Sequence, residues 1–502
     1  MNNMKKARTL AAATLALAAA SAAANDSILY TKAEYALGHR RFYEGVLASP
    51  ALKSLSKAPS YSEITLNGMS EPASAQRIPQ LGDGSRMFSV NASSFQHLGK
   101  GTNVWGEASY ENGRRYDVRW NETSDFLLLY PYVMADGKGG DTKYEEYKLN
   151  GGFSARHSKI LYGAELGYRA LSEYRDRDPR PNNTVADLYA RLGFGYNLFA
   201  NYVVALSADA GKYKQTNELT FYNELGAQME YHLTGIGNHF ARFSGLSNNC
   251  FYKGYNLGAQ LSLANATETG WTASAGYMYT RKEKILSDLN RLPLNQLDIY
   301  RVNGSVAYNT AAWGARLSTI YSDRQGTDNL FGDATGNIYP QIGSEKQYSA
   351  KHATVTANGF WTCRPSKGVV VNIEPEVAYS SFKSSHKSSA NVFNSSDLSM
   401  QLAADMSFIT GGNMFSANAS IGRRQNMSTD VSVFSSVSDD MTATLTGIGD
   451  YLRHGETTMS VGADYSRKIF GNKALGVGFR WRHCSYLAGS CNGYEAQLSF
   501  SL

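Results

Sequence analysis

Arginines and acidic residues recur at alternate positions along several long stretches of this 502-residue chain. Arg115, Arg119, Arg169, Arg191, Arg301, Arg480 and Arg482 share a face of the expected strands with Glu107, Glu165, Glu224, Glu230, Asp464 and Glu495. Two kinds of chemistry suit such a set. The charges can line a wet pathway and bias which solutes pass. They can equally pair across neighbouring strands and fill an interior with ion pairs. Other chemistry has little support. The nine histidines show no ligand spacing such as H-x-x-x-H, and Gly82-Asp83-Gly84 reads as a turn, having no strand-to-helix context. A membrane-embedded hydrolase could assemble its groups only in space, but no motif points to one, so the chain is read as a non-enzyme without cofactor or metal.

Long strands with one polar and one apolar face are the elements that present charges in this way. From Val104 to Trp120 the even positions include Val104, Ala108, Tyr110, Tyr116 and Val118, and the odd positions carry Glu107, Glu111, Arg115, Asp117 and Arg119. Successive side chains of a strand point to opposite sides, so this stretch has a charged face and a mainly apolar one. The pattern repeats. Ile160, Tyr162, Ala164, Leu166, Tyr168 and Ala170 alternate with Glu165, Gly167 and Arg169. Leu219, Phe221, Leu225, Ala227, Met229 and Tyr231 alternate with Tyr222, Glu224, Gln228 and Glu230, and Met459, Val461, Ala463 and Tyr465 with Ser460, Gly462 and Asp464. Tyr494, Ala496, Leu498, Phe500 and Leu502 form an alternating final strand. Such strands exceed the ~5–6 residues common in soluble sheets and suit a membrane crossing of ~10 residues. The fold class expected is therefore all-β: a closed transmembrane antiparallel barrel with Leu166 and Leu225 facing lipid and the charges facing the lumen.

The start of the chain carries an export signal. Lys5, Lys6 and Arg8 precede an apolar run from Thr9 to Ala20, and Ala22 and Ala24 supply the small residues for cleavage after Ala24. No stretch of eighteen apolar residues follows, which excludes a helical membrane protein. The mean hydropathy of −0.37 fits a barrel in which only alternate residues meet lipid. A net charge of +6, without a basic run, gives no reason to expect nucleic acid. Three regions follow: a signal peptide at 1–24, a periplasmic or plug-like segment at 25–59, and an outer-membrane barrel at 60–502. Short periplasmic turns are expected at 97–101, 158–159, 199–201, 309–311, 363–368 and 410–413. Longer extracellular loops are expected at 70–85, 121–143, 175–184, 283–296, 325–346, 383–396 and 426–440. Walking the alternation yields 21 strands if a short one near 238–246 is included. Bacterial barrels of one chain have even numbers, so about 20 (18–22) are expected, with 426–502 the least regular part.

The stretches Asn121-Glu-Thr-Ser-Asp125, Tyr130-Pro-Tyr-Val133 with Asp136, Tyr147-Lys-Leu-Asn-Gly-Gly152 and Tyr174-Arg-Asp-Arg-Asp-Pro-Arg-Pro-Asn182 resemble an uncharacterised, domain-of-unknown-function family of Gram-negative outer-membrane barrels. That resemblance implies fold and location and brings no activity. The expected role is a channel or uptake component for small polar solutes, surrounded by outer-membrane lipid. The alternative is a non-conducting accessory barrel partnering a surface lipoprotein, a TonB-dependent receptor or a secretion machine. Of the four cysteines, Cys484 and Cys491 flank a short connection and fall on the lumen side of paired strands, where Cα atoms approach the ~5.5–6 Å a disulfide prefers. Cys250 and Cys363 are left unpaired.

Overall fold

The computed structural model describes residues 28–45, 47–72, 78–99, 101–199, 201–223, 229–245, 249–336, 338–366, 368–486 and 489–502. The export signal at 1–24 lies outside them. Eighteen long strands follow in chain order: β1 (Tyr61–Glu71), β2 (Gly84–His97), β3 (Thr102–Val118), β4 (Gly140–His157), β5 (Ile160–Arg175) and β6 (Arg180–Phe199). The next six are β7 (Tyr202–Thr220), β8 (Cys250–Asn265), β9 (Gly270–Leu286), β10 (Leu292–Asn309), β11 (Trp313–Phe331) and β12 (Gln341–Ser366). The last six are β13 (Val369–His386), β14 (Val392–Thr410), β15 (Asn413–Ser432), β16 (Glu456–Lys468), β17 (Ala474–Tyr486) and β18 (Gly489–Ser501). Each pairs antiparallel with its neighbours in sequence, and β1 pairs with β18 from Glu63↔Ser501 to Ser70↔Tyr494. The sheet therefore closes and leaves no edge whose amides lipid could not satisfy.

Strand number sits at the lower end of the expected range, and the reason is local. Within the alternation from 219 to 231, the described residues 221–223 and 229–231 are not part of a wall strand. β7 stops at Thr220, Leu219 faces inward and is buried, and Tyr231–Gly235 pairs with Asn238–His239 and Met134–Ala135 in a small separate sheet. A strand half-buried against other loops has the same period of two as one half-buried in lipid. Glu224 and Leu225 lie outside the described residues. The short strand expected near 238–246 likewise belongs to this inner structure. In the irregular region, residues 439–454 form a helix rather than strand, followed by β16, β17 and β18.

An even strand count brings both ends of the barrel sequence to the same rim. Tight connections at 158–159, 310–312 and 411–412 lie at that rim, and long ones at 119–139 and 433–455 lie at the other. Short turns belong to the periplasmic side and long loops to the extracellular side. Outward residues form an apolar belt that includes Leu166, Leu192, Leu206, Leu317, Val461 and Phe479, all more than half exposed. Trp271, Tyr308, Trp313 and Trp361 band the periplasmic border, with Tyr110–Tyr147 and Tyr255–Tyr279–Tyr300 toward the other. A closed barrel with an apolar belt between aromatic bands is built to sit in the outer membrane. Leu166→Arg should therefore cost ~2–4 kcal/mol and reduce heat-modifiable barrel in outer-membrane fractions, while Glu165→Gln on the opposite face should assemble. Equal behaviour of the two variants would show the faces to be misassigned.

The interior is partly filled by the chain itself. At the periplasmic rim lie α1 (Ile28–Tyr35), α2 (Gly38–Glu44) and a 3-10 turn (Pro50–Leu55). Ile28, Leu29 and Ala33 pack on Ile409, Met414 and Ala474, while Leu47, Ala51 and Leu52 pack on Leu161, Val203 and Ala264. These contacts reach widely separated strands, so the segment crosses the mouth of the barrel. At the extracellular rim the connection after β3 contributes a one-turn helix α3 (Phe126–Leu129), and the connection after β15 contributes α4 (Asp439–His454). Ser438 caps α4 by accepting the Met441 amide, and Gly455 ends it at φ +67°, where a side chain would strike the Arg424 carbonyl. Trp120, Leu129, Val133, Met134, Leu233, Ile236, Met441 and Leu445 form one apolar core with inward wall residues such as Tyr213, Tyr252 and Tyr348.

Candidate functional site: the charged barrel interior

Register places the wall charges. Glu107 faces Asn150 and Ser93, Glu165 faces Arg191, Arg191 faces Asp209, and Arg480 faces Glu495. All six arginines that do lie on wall strands at the expected positions point inward, and five of them are ion-paired. Arg115 pairs with Glu173, Arg169 with Asp125 and Glu146, Arg191 with Asp209, and Arg480 and Arg482 with Glu495. Glu165 accepts from Trp105 Nε1 at 3.1 Å and Tyr189 OH at 3.1 Å, and Asp464 accepts from Asn418 at 3.4 Å. Much of the charge thus forms a cross-strand network. A cavity of about 490 Å³ opens beside α3, lined by Glu111, Arg115, Asp125, Glu146 and Arg169.

Two expected positions differ, and a third is not described. Arg119 lies beyond the end of β3, where Asp117 and Trp120 take positive φ and turn the chain, and it pairs with Asp117 on the exposed loop. It does not line the lumen wall. Glu224 is outside the described residues. Glu230 is inside the barrel but on the inner loop, not on a wall strand.

Glu230 belongs to a cluster that no single stretch of sequence displays. The Arg175 side chain is fully buried at the top of β5, with Nη2 donating to Glu122 Oε1 at 3.1 Å and Asp136 Oδ2 at 2.7 Å. Its Nε donates to the Pro179 carbonyl at 2.8 Å. Asn183 and Asn217 each donate to the Glu122 carbonyl at 2.9 Å. Glu230 reaches the same cluster from the second loop, beside Glu122, and is fully buried. Burial, with Glu122 and Glu230 side by side, holds the Glu122 carboxyl well above its usual range, and burial raises Glu230 to about 7. Both carboxyls therefore hold their protons more tightly in the folded protein than free carboxyls do. A carboxyl whose folded value is raised binds its proton more tightly when folded, so its loop is best docked below about pH 5 and loosens as pH rises through about 7. Glu230→Gln should remove that loss, making docking firmer at pH 8 by on the order of 2–3 kcal/mol and leaving pH 5 unchanged. Hydrogen exchange of residues 230–239 at the two pH values reads this. Identical pH dependence in both proteins would refute it.

Ion pairs also fasten the periplasmic segment. Arg40, 4% exposed, donates to Glu268 at 3.0 Å and Glu34 at 3.2 Å; Arg41 reaches Glu374 and Asp405 at 2.6 and 2.7 Å; and Lys32 reaches Glu63 at 2.8 Å. Glu268 also accepts the Lys57 amide at 2.8 Å, and Tyr43 donates to the Asn265 carbonyl at 2.6 Å. Between the segment and the extracellular core, the inward residues Glu107, Arg301, His352, Gln401 and Arg482 remain exposed. That exposure marks an aqueous chamber at mid-barrel.

Cys484 and Cys491 face each other across β17 and β18 with Cα atoms 5.1 Å apart, and their sulfurs are joined. Peptide mapping without reduction should recover the two peptides linked; free thiols at both positions would contradict the bridge. Cys250 is buried and Cys363 half-buried, both unbridged. Among the described residues no cluster of His, Cys, Asp and Glu side chains is arranged to hold a metal ion.

Solved structures align with this chain at low identity. The ferric preacinetobactin receptor BauA from Acinetobacter baumannii aligns over 88% of this chain and 80% of its own, with 10% identity and a TM-score of 0.44. The ferric citrate transporter FecA aligns over 88% and 78%, with 9% identity and a TM-score of 0.41. A bacterial polysaccharide outer-membrane secretin aligns over 88% and 97%, with 11% identity and a TM-score of 0.35. No curated protein matches the sequence. The family model that does match covers residues 50–502, nearly the whole barrel and the end of the segment beneath it, and the chain accordingly belongs to a family of unknown function, DUF6850.

Proposed function

We propose that this non-enzymatic outer-membrane barrel is a channel or uptake component for small polar solutes, closed at rest by its own chain. The observation that carries the reading is the water-exposed mid-barrel chamber with its polar lining, bounded by a segment fastened through ion pairs. Barrels of about 16–18 strands are wide enough to conduct unless something occupies them. Here the occupants are residues 28–59 on one side and the extracellular loops on the other. Ion pairs and hydrogen bonds at the periplasmic mouth are contacts that water can replace, which suits a closure that opens.

One observation favours the second reading, a non-conducting scaffold that partners a surface lipoprotein, a receptor or a secretion machine. The loop core around Trp120, Met134, Ile236 and Met441 is as dry as a soluble protein interior. Planar-bilayer recording separates the two. The full mature chain should show a closed baseline with intermittent openings, and Arg40→Ala should raise the open fraction. A barrel that stays silent in both forms would sink the transport reading and leave the scaffold.

A further inference from the structure

Of the six wall arginines at the expected inward positions, five have carboxylate partners; the sixth, Arg301, makes no hydrogen bond or ion pair among the described residues and is exposed to the chamber. It does not stand alone. Arg301 on β10 faces Ser322 on β11, and Ser322 faces His352 on β12. Arg324 lies two residues along β11 on the same inward face. The charges felt most by Arg324 are those of Arg301 and Tyr348, Lys282 also lies within its reach, and those felt most by His352 are Arg324 and Arg301. Among the described residues no carboxylate pairs with any of the three. Asp298 and Asp323, on the same strands, point outward, and Asp298 is held by Arg281 and Tyr279.

We propose that Arg301, Arg324 and His352 form an oxyanion-binding station in the chamber, taking small solutes that carry a carboxylate or phosphate group. The station deepens the transport reading above and rests on it only for the route by which the solute arrives.

Three features support it. Two guanidinium groups held side by side on a low-dielectric wall repel each other, and an oxyanion between them removes that repulsion. Arg324 is fixed rather than loose, since its Nη1 donates to the carbonyls of Leu127 at 2.8 Å and Tyr130 at 3.2 Å. Those neutral acceptors orient the planar group without cancelling its charge, which leaves its other N–H donors for a ligand. His352 is placed by its Nε2, 3.0 Å from Ser380 Oγ, and by packing against Phe382. Ser322, Thr354 and Ser380 add hydroxyl donors on the same face. Arg115, Arg169, Arg191, Arg480 and Arg482 could not serve in this way, because they are already paired with carboxylates of the protein.

Two measurements on the full mature chain test the station and keep its failure apart from that of the transport reading. In bilayers under a salt gradient, openings should favour chloride over potassium, and Arg301→Gln should lower that preference several-fold while openings persist. Binding of citrate and of inorganic phosphate to the detergent-solubilised barrel, followed by calorimetry, needs no conduction. Wild type should bind at least one of them about tenfold more tightly than Arg301→Gln, a difference of about 1.4 kcal/mol. Citrate alone or phosphate alone would show which oxyanion the station takes. Arg301 makes no hydrogen bond or ion pair among the described residues, so its variant should fold; retained heat-modifiable mobility confirms that it has. Arg301→Lys should keep part of the selectivity and lose most of the binding, because a point charge lacks the guanidinium fork. Equal binding by wild type and Arg301→Gln, or binding by neither, would overturn the station whether or not the barrel conducts.

Discussion

Arg175→Ala should loosen the extracellular core more than any other single change in the barrel, by about 3–5 kcal/mol. The side chain is fully buried, as are those of Glu122 and Asp136, so alanine leaves their carboxylates without a counter-charge in a water-excluded site. The loops answer by opening to water. In intact outer membranes, protease added outside should cut residues 119–139 and 230–245 faster, by about a hundredfold or more if cleavage follows the open population. Glu230→Gln in the same chain should restore part of the protection by removing one of the uncompensated acids. Wild-type cleavage rates in Arg175→Ala would show that the cluster does not hold the loops.

Arg40→Ala is the counterpart at the periplasmic mouth, with an expected cost of about 3 kcal/mol. Arg40 and Glu268 are both nearly buried, at 4% and 8% exposure, and Glu268 keeps only the Lys57 amide when the guanidinium is gone. Leu47, Ala51 and Leu52 still pack on the opposite wall, so the loss falls on α2 rather than on the whole segment. Amide exchange across residues 39–45 should rise by about a hundredfold, while β5 and β7 keep their protection. Unchanged exchange in α2 would mean that apolar packing alone seals the mouth.

Alternation made the barrel wall legible because lipid and water impose opposite demands on adjacent residues. Leu166 beside Glu165 is enough to fix a face. The inner loops escaped because their partners come from separate parts of the chain. Glu122, Asp136, Arg175 and Glu230 meet only after two loops fold back into the lumen, and a buried strand such as Tyr231–Gly235 carries the same period as a membrane strand. The first three of those residues do fall within the stretches that carry the family resemblance, 121–136 and 174–182. The Pro-rich stretch after Arg175 contributes directly, since Pro179 supplies the carbonyl that Arg175 Nε grips. α4 left signals of its own: Ser438 before two acidic residues, Met441, Leu445 and Ile448 at helical spacing, and Gly455 after Arg453 and His454. The pairing of wall charges was also open at the sequence level, since alternation gives the face of a residue and not its register.

Thiol accessibility at two adjacent positions tests the central claim, a membrane wall around a closed aqueous chamber. Gln401 points into the chamber from β14, opposite Glu376, and Leu402 points out of the barrel, 47% exposed. With Cys250 and Cys363 replaced by serine, Gln401→Cys in native membranes should react slowly with a small, charged, water-soluble thiol reagent and faster when Arg40→Ala is added. Leu402→Cys should resist that reagent in both backgrounds and react with a lipid-soluble maleimide. Equal reaction of the two cysteines with the water-soluble reagent, or no effect of Arg40→Ala on Gln401→Cys, would contradict the account.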